Sequence, residues 1–275
     1  MTTVQRHHRA NWLSLAVAVL LPGCANQSGR APVPPHYDWP DSFAYRVRIT
    51  TDSTVDGHPS IRDEVTKLVR FAVRNERYAV WNDSVSKSRA EAGQAPQSGQ
   101  LVPADTVRFF VRLSRYGAVA DVQPDCDPSV AACFGVLPSA LQIELRRVIP
   151  RLPVWWPPRG HAWADTLRFD DGTRPGGRRG GVSTVSRDAH DTVVAGWPFW
   201  RLVWRSERVD ALAFAGTYLQ LPKVTEIGEV LVDKRTLMPA LATWVGALTT
   251  PAAATSWRGS ARLLGSVFDS TRVRP

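Results

Sequence analysis

Residues 107–122, VRFFVRLSRYGAVADV, contain the pattern that decides the fold. Apolar side chains occupy every second position from Val107 to Leu113, and arginine occupies two of the three positions between them. Tyr116-Gly117 interrupts the run, and apolar residues return at every second position from Ala118 to Val122. Alternation with a period of two is typical of a half-buried β-strand, and a glycine between two such runs predicts a hairpin.

The same alternation recurs along most of the chain. Residues 43–49 show it first, with apolar side chains on one face and arginines on the other. Residues 61–74 fit both a helix and a strand, and their β-branched side chains favour the strand. The other candidate strands are 78–86, 163–169, 198–206, 224–232, 240–248 and 260–268. The sequence therefore predicts nine or ten strands in antiparallel succession.

One segment has helical periodicity. Leu137, Leu141 and Leu145 recur at helical spacing, and Pro150 ends the run because proline disfavours helix in the residue before it. A sheet of this kind has an apolar face that must be covered. We therefore predict a single mainly β domain over residues 41–275, an antiparallel curved sheet or incomplete β-barrel with one central helix packed on it.

The polar stretch VDKRTLMP, residues 232–239, is a turn between two predicted strands. Together with the strand layout it resembles the incompletely closed β-barrels of the LolA/LolB lipoprotein carriers. In that family, helices plug a concave apolar face that accepts acyl chains. The resemblance covers the layout and this short segment, and it carries no site residues over. It implies a lipid or a lipoprotein acyl chain as the ligand.

The N-terminus has the layout of a secretory signal. A basic start is followed by an apolar run over residues 12–21, which is about half the length of a spanning helix. Leu21-Pro22-Gly23-Cys24 then resembles the lipobox of bacterial lipoproteins, which implies removal of residues 1–23 and a lipid on Cys24. Pro22 departs from that motif, and cleavage after Ala25 would instead give a soluble periplasmic or secreted protein.

Residues 24–40 are rich in proline and predict a lipidated cysteine followed by a flexible tether. Several acyl chains hold a protein at a bilayer where one barely does, so the membrane is an expected partner. By the same resemblance, Ala25 lacks the aspartate that retains lipoproteins at the inner membrane. The expected location is therefore the outer membrane, facing the periplasm.

The cysteines fit export. Cys126 and Cys133 remain as a pair once Cys24 is acylated, and an oxidising compartment favours a disulfide between them. Two buried free thiols are the alternative. A structural zinc site wants four ligands, and no histidine or further thiol lies near this pair.

The formal charge of +9 falls to +7 without Arg6 and Arg9. Only four of the 34 basic residues are lysine, a bias typical of a GC-rich genome. The charge therefore does not predict nucleic acid as a partner, since an exported protein rarely meets it.

Tryptophan is the unusual component of the composition, with eleven residues. Its large apolar face and polar N–H suit apolar clefts and membrane interfaces, although core packing explains most of them. Trp200 and Trp204 share one face of a predicted strand, and Trp155-Trp156 follows the helix between prolines. These four residues are the candidate lining of a ligand cleft.

No catalytic, metal-binding or cofactor motif is present. His161 with Asp165, and His190 with its neighbouring aspartates, are the His–carboxylate pairs, and exposed loop positions explain them. Three functions follow, in order. The first is a non-enzymatic envelope lipoprotein with a concave apolar pocket. The second is a structural or protein-interaction module with a filled core and an exposed apolar patch. The third is a hydrolase of envelope polymers.

Overall fold

A computed structural model describes residues 36–99, 101, 105–126, 137–154, 162–171, 178–214 and 217–269, and residues 34–275 form one unit. The described part contains thirteen strands and one helix. The strands are β1 (Ser42–Val55), β2 (Ile61–Arg74), β3 (Arg77–Glu91), β4 (Gln97–Ser98), β5 (Phe109–Leu113), β6 (Val119–Pro124), β7 (Trp163–Asp170), β8 (Arg178–Val194), β9 (Trp197–Phe214), β10 (Thr217–Gln220), β11 (Val224–Asp233), β12 (Met238–Thr250) and β13 (Ala253–Leu263). The helix is α1 (Pro138–Val148).

All strands belong to one open antiparallel sheet. Its order is β6-β5-β3-β2-β1-β13-β12-β11-β9-β8-β7, with β4 added to β3 and β10 added to β9. The chain thus makes two meanders, one running outward from β1 and the other returning inward to β13. Eleven residue pairs, from Tyr45–Leu263 to Val55–Ala253, join these two strands at the centre of the sheet.

Helix α1 lies in the crossover between the two edges of the sheet, since β6 and β7 are the outermost strands. This connection carries α1 across the concave face, where its side chains pair with residues of β2, β7 and β11. Pro138 stands in its first turn, where a missing N–H costs nothing, and Arg146 and Arg147 lie in its last turn, where positive charge favours the helix dipole.

Two tight turns fix the register of long hairpins. Asn75 and Glu76 between β2 and β3 both have positive φ, and so do Ala195 and Gly196 between β8 and β9. Two-residue connections of this kind match the twist of the strands they join. The pairing that follows is long, running from Val194–Trp197 to Arg178–Ala213 in the second hairpin.

Apolar side chains are buried on both faces of the sheet. The main core lies between the concave face and α1, and it includes Tyr45, Phe71 and Trp244. A second cluster centres on Phe199, whose ring lies 5.4 Å from that of Phe268. The residues after β13 therefore fold back over one end of the opposite, convex face.

The predicted fold class is confirmed. The hairpin of residues 107–122 forms β5 and β6, residues 61–74 form a strand, and residues 137–149 contain α1. The sheet has more strands than predicted, because the short strands β4 and β10 and the long strand β8 went unrecognised. β8 is the substantial omission. Its inward positions include Ser183 and Arg187, so it lacks apolar alternation. The predicted strand 260–268 instead ends at Leu263 and gives way to turns.

The folded part begins earlier than the predicted boundary at residue 41. Tyr37 is buried, and its hydroxyl donates to the carbonyl of Pro150 at 2.8 Å. Trp39 donates from Nε1 to the carbonyl of Ser114 at 2.8 Å. These bonds place the end of the predicted tether in the core. The predicted signal peptide, Cys24 and the start of the predicted tether lie outside the described residues. Across the described ranges, no helix has the length and hydropathy of a membrane span.

Candidate functional site

A cavity of about 220 Å³ lies between α1 and one half of the concave face. Strand alternation puts its lining there: Tyr45 and Val47 of β1 stand opposite Val69 and Lys67 of β2, and Phe71 stands opposite Val80 of β3. The remaining lining residues are Trp81, Asn82, Asp105, Val107, Phe109, Leu137, Ala140, Leu141, Glu144, Leu145 and Val148. The site is thus an apolar space under a helix.

Three ion pairs attach α1 to the sheet. They are Lys67–Glu144 to β2 at 2.5 Å, Arg147–Glu226 to β11 at 2.5 Å, and Arg146–Asp165 to β7 at 2.9 Å. All are more than three-quarters buried, so removal of one partner would leave a charge with little water around it. The ion pairs therefore fix the helix over the cavity at a defined height.

The polar groups of the cavity are paired among themselves. Asn82 donates from Nδ2 to the carbonyl of Asp105 at 2.8 Å, and Lys87 lies 2.5 Å from the Asp105 carboxylate. Lys67 and Glu144 form the other pair. All four charged side chains retain some exposure, which marks the side of the cavity that meets solvent. This edge carries no net charge.

The other half of the concave face is filled by tryptophan. The rings of Trp204, Trp244 and Trp257 occupy the space where Gly228, Gly259 and Gly246 lack a Cβ. Trp257 donates from Nε1 to Glu226 at 2.6 Å, and the Arg147 guanidinium lies 5.9 Å from the Trp244 ring centre. The cavity therefore ends where this layer of indoles begins.

A cluster of aromatic rings closes one end of the cavity. Phe43 stacks on Phe71 with ring centres 4.3 Å apart, and Tyr45 meets Phe71 edge-on at 6.1 Å. Burial raises the pKa of the Tyr45 phenol well above 10.0, and nearby Tyr37 adds to the shift. Tyr45 therefore remains a neutral donor, and its hydroxyl bonds the carbonyl of Pro239 at 3.0 Å.

Of the four tryptophans expected to line a cleft, Trp200 and Trp204 are described, and neither lines this cavity. Trp204 is buried over Gly228, and its Nε1 has no hydrogen-bond partner among the described residues. Trp200 is half-buried, with the Lys234 ammonium 5.9 Å from its ring centre. Trp155 and Trp156 lie outside the described residues. Cys126 is half-buried after β6, whereas Cys133 lies outside the described ranges, so their disulfide stays a prediction.

The cavity residues were present in the sequence patterns without being recognised as a site. Alternation places Tyr45 and Val47 on the inward face, and helical spacing places Leu141 and Leu145 on the apolar face of α1. Neither pattern states which inward positions touch each other and which leave a space. The ion pair between Lys67 and Glu144 would have located the cavity, because it marks where α1 crosses β2.

Where the structure describes them, the residues of the two His–carboxylate pairs lie on strands β7 and β8. His190 lies on the exposed surface of β8, with Nε2 3.1 Å from Asp188. Asp165 is buried and bonds Arg146, while His161 lies outside the described residues. The part of the chain that the structure describes contains no group of three His, Cys, Asp or Glu side chains that could hold a metal ion.

An exposed apolar patch occupies the convex face. It consists of Val203 on β9, Ile227 on β11 and Val245 on β12, which are 38%, 52% and 49% exposed. Ile227 pairs directly with Val245. Their neighbours Trp204, Gly228 and Trp244 point to the concave face, so the patch lies behind the tryptophan layer. We call these three residues the convex patch.

No family model matches the chain, and no curated protein matches it. Two solved structures have a remote likeness. One, described under lipid–protein interactions in lipovitellin, has a TM-score of 0.39 and 9% identity over 82% of this chain, which spans 25% of that chain. The other is Ail, the attachment invasion locus protein of Yersinia pestis, with a TM-score of 0.20 and 7% identity over 81% of this chain and 96% of its own. Both scores are too low to assign a shared fold.

Proposed function

We propose that this protein is a non-enzymatic lipoprotein of the bacterial cell envelope that binds the apolar part of a lipid or acyl chain beneath α1. The observation that carries the proposal is the 220 Å³ cavity between α1 and strands β1, β2 and β3. A cleft with mostly apolar walls and a few polar groups at its edge is the usual form of a small-molecule binding site.

The volume of the cavity limits the size of the group that it can bind. An apolar cavity of about 150 Å³ holds one benzene molecule, so a space half as large again holds roughly nine carbon atoms. A long acyl chain therefore enters with its terminal part only. Since each lysine at the edge is paired with an acid, the edge favours an uncharged polar group over a charged one.

The proposed cellular location rests on the sequence of the N-terminal residues. A lipid on Cys24 would hold the domain at the outer membrane through the proline-rich tether. The apolar cavity would then work close to a source of acyl chains. If the chain is instead cleaved after Ala25 and carries no lipid, the same domain would be released into the periplasm.

Native mass spectrometry of the protein purified from a bacterial envelope tests the proposal. We expect an excess mass that organic extraction removes and identifies as lipid. The chain itself should be heavier than its cleaved sequence by the acyl groups on Cys24. A bare polypeptide, together with no binding of fluorescent fatty acids, would contradict ligand binding whatever the state of Cys24.

The convex patch favours a second function, a module that binds another envelope protein. Photo-crosslinking in cells separates the two, with the crosslinker placed at Ile227 on the patch or at Val47 in the cavity. Lipid adducts at Val47 support the first function. Protein adducts at Ile227, with none at Val47, support the second.

A further inference from the structure

Three arginines share one carboxylate at the C-terminal end of α1. The Asp165 carboxylate lies 2.9 Å from Arg146, 3.3 Å from Arg151 and 3.8 Å from Arg187. Arg146 donates further bonds to the carbonyls of Ser183 and Asp165. The cluster therefore holds two more positive charges than negative ones.

Two of the three arginines are buried. Arg187 is 1% exposed and Arg146 is 7% exposed. Burial lowers the pKa of Arg187 to about 10, although the Asp165 carboxylate acts against the shift, and burial also lowers the pKa of Arg146. Arg187 donates from Nη2 to the carbonyl of Arg146 at 3.2 Å, while its Nε and Nη1 have no hydrogen-bond partner among the described residues. One aspartate thus offsets only part of the cost of desolvating the two buried guanidinium groups, those of Arg146 and Arg187.

The rest of the chain offers almost no other acid for this cluster. Among all its aspartates and glutamates, only Asp127 lies outside the described ranges. Residues 155–161, which lie between the helix and β7 in the sequence, contain arginine and histidine but no acid. Among the described residues, Asp165 is the one carboxylate paired with these three arginines, so an anion bound from outside the chain would add the charge that the cluster lacks.

A space for such a group lies beside the cluster. A gap of about 90 Å³ separates the start of the edge strand β6 from the other edge strand, β7. Its lining consists of Gly117, Ala118, Val119, Gln142, Arg146, Arg151, Asp165, Thr166 and Leu167. We propose that this gap binds a small oxyanion, a carboxylate or phosphate group, through Arg151 and Arg146, with the Gln142 amide as a further donor.

The chemistry of the lining fits that ligand. A guanidinium presents several N–H donors in one plane and binds carboxylate and phosphate oxygens with two parallel hydrogen bonds. Arg151 is 55% exposed and makes one long bond to Asp165, so most of its donors remain available to a ligand. Arg187 lies behind Arg146 and adds positive charge without contact. The proposal does not depend on what the apolar cavity binds.

Thermal unfolding in inorganic phosphate, compared with chloride at equal ionic strength, tests it. At ten times Kd we expect phosphate to raise Tm by about 3–6 °C. Arg151→Gln should abolish most of this rise, because Arg151 is the exposed ligand. Arg168→Gln is the matched control: it removes an exposed arginine from β7 that does not line the gap, and it should leave the rise unchanged.

A second variant tests the proposal independently if Arg151→Gln changes the stability of the protein in the absence of phosphate. Gln142→Glu places a carboxylate in the gap, so it should raise Tm without phosphate and remove the response to phosphate. The proposal would be overturned if the native protein responded neither to inorganic phosphate nor to a phosphate-bearing lipid, or if Arg151→Gln and Gln142→Glu responded as strongly as the native protein.

The anion can be free or belong to a lipid headgroup, and two further probes distinguish these sources. Dihexanoyl phosphatidic acid and dihexanoylglycerol share their chains and differ in the phosphate. A response to inorganic phosphate equal to that of the phosphatidic acid indicates a free anion. A response to the phosphatidic acid alone indicates a headgroup. The anion site is contradicted if neither phosphate nor either lipid gives a response, or if the two lipids respond equally and phosphate does not.

Discussion

The indole of Trp244 on β12 lies against Gly259, its directly opposite partner on β13, in the space that a Cβ would fill. Trp204 repeats the arrangement over Gly228 of the adjacent β11. These glycines are needed for room rather than for backbone freedom, since none of them has a positive φ. The layer of rings they accommodate separates the cavity from the convex patch.

Gly259→Ala should therefore destabilise the protein. The new Cβ would overlap the Trp244 ring, which is nearly inaccessible to solvent and has no room to move aside. We expect a loss of about 1–3 kcal/mol in the free energy of unfolding, typical of overpacked cores, measured by urea denaturation. Gly180→Ala is the control, because the nearest atom to its Cβ would be the carbonyl oxygen of Phe169 at 3.3 Å. Equal losses in the two variants would contradict this role of Gly259.

Asp165→Asn should be more damaging than its conservative shape suggests. The asparagine keeps the volume but leaves Arg146 and Arg187 without the carboxylate that offsets their buried charge. Breaking a buried ion pair costs about 3–5 kcal/mol, and we expect a loss of that order in urea denaturation. Asp188→Asn, which removes a partly exposed carboxylate paired with His190, should change the free energy of unfolding by less than about 1 kcal/mol.

Two buried phenols should make the protein unstable in alkali. Burial raises the pKa of Tyr37 and Tyr45, whereas the unfolded chain releases these protons near pH 10.0. Above pH 10 the folded state therefore holds more protons than the unfolded state, and the free energy of unfolding falls by up to about 1.4 kcal/mol per pH unit for each residue. Below pH 10 both phenols are protonated in the folded and the unfolded protein, so they should not make the free energy of unfolding depend on pH.

The measurement is the free energy of unfolding as a function of pH, with tyrosinate absorbance followed in parallel. Tyr45→Phe should reduce the slope above pH 10 and lower stability at neutral pH by about 1 kcal/mol, because the hydrogen bond to the carbonyl of Pro239 is lost. An unchanged slope in this variant would show that Tyr45 ionises freely in the folded protein.

The predicted disulfide can first be tested on the native protein, without making a variant. A disulfide between Cys126 and Cys133 lowers the mass by two hydrogens and closes a short loop. Reduction, or replacement of both residues by serine, should then lower the free energy of unfolding by roughly 2–3 kcal/mol. Free thiols that react with a maleimide in the unfolded, unreduced protein would contradict the prediction.

The sequence was most informative where one face of a strand is apolar and the other polar. The alternation over residues 107–122 predicted the β5–β6 hairpin, and the leucines from Leu137 to Leu145 predicted α1. β8 escaped because Ser183 and Arg187 occupy its inward positions, where the Arg187 charge is offset by Asp165 of the neighbouring strand. Such pairing joins residues far apart in the chain, so no local pattern contains it.

The site was less predictable than the fold for a related reason. Composition drew attention to tryptophan, yet Trp204 fills the concave face instead of lining a space. The cavity arises because the indoles of Trp204 and Trp244 stop short of β2 and β3, where smaller residues such as Val69 and Val80 face α1. Volume left over between elements depends on all the side chains that meet there.

Val47→Phe tests the cavity directly. Val47 is buried on β1 and lines the cavity, so a phenyl ring at this position should extend into the space that the ligand would occupy. We expect at least a tenfold loss of affinity for a fluorescent fatty acid, measured by titration. The free energy of unfolding should change by less than about 1.5 kcal/mol, because the ring fills a void rather than overpacking a filled core.

The same substitution on the opposite face is the control. Val245→Phe enlarges an exposed side chain of the convex patch, behind the tryptophan layer, and should leave fatty-acid affinity unchanged. Leu141→Ala supplies the opposite change, since it widens the cavity from the side of α1 and should favour a bulkier ligand. Because Val47→Phe and Val245→Phe add the same atoms, a loss of affinity shared by both would mean that the loss is not caused by filling the cavity. A loss confined to Val47→Phe would place the ligand beneath α1, where the paired side chains of Lys67 and Glu144 border its entry.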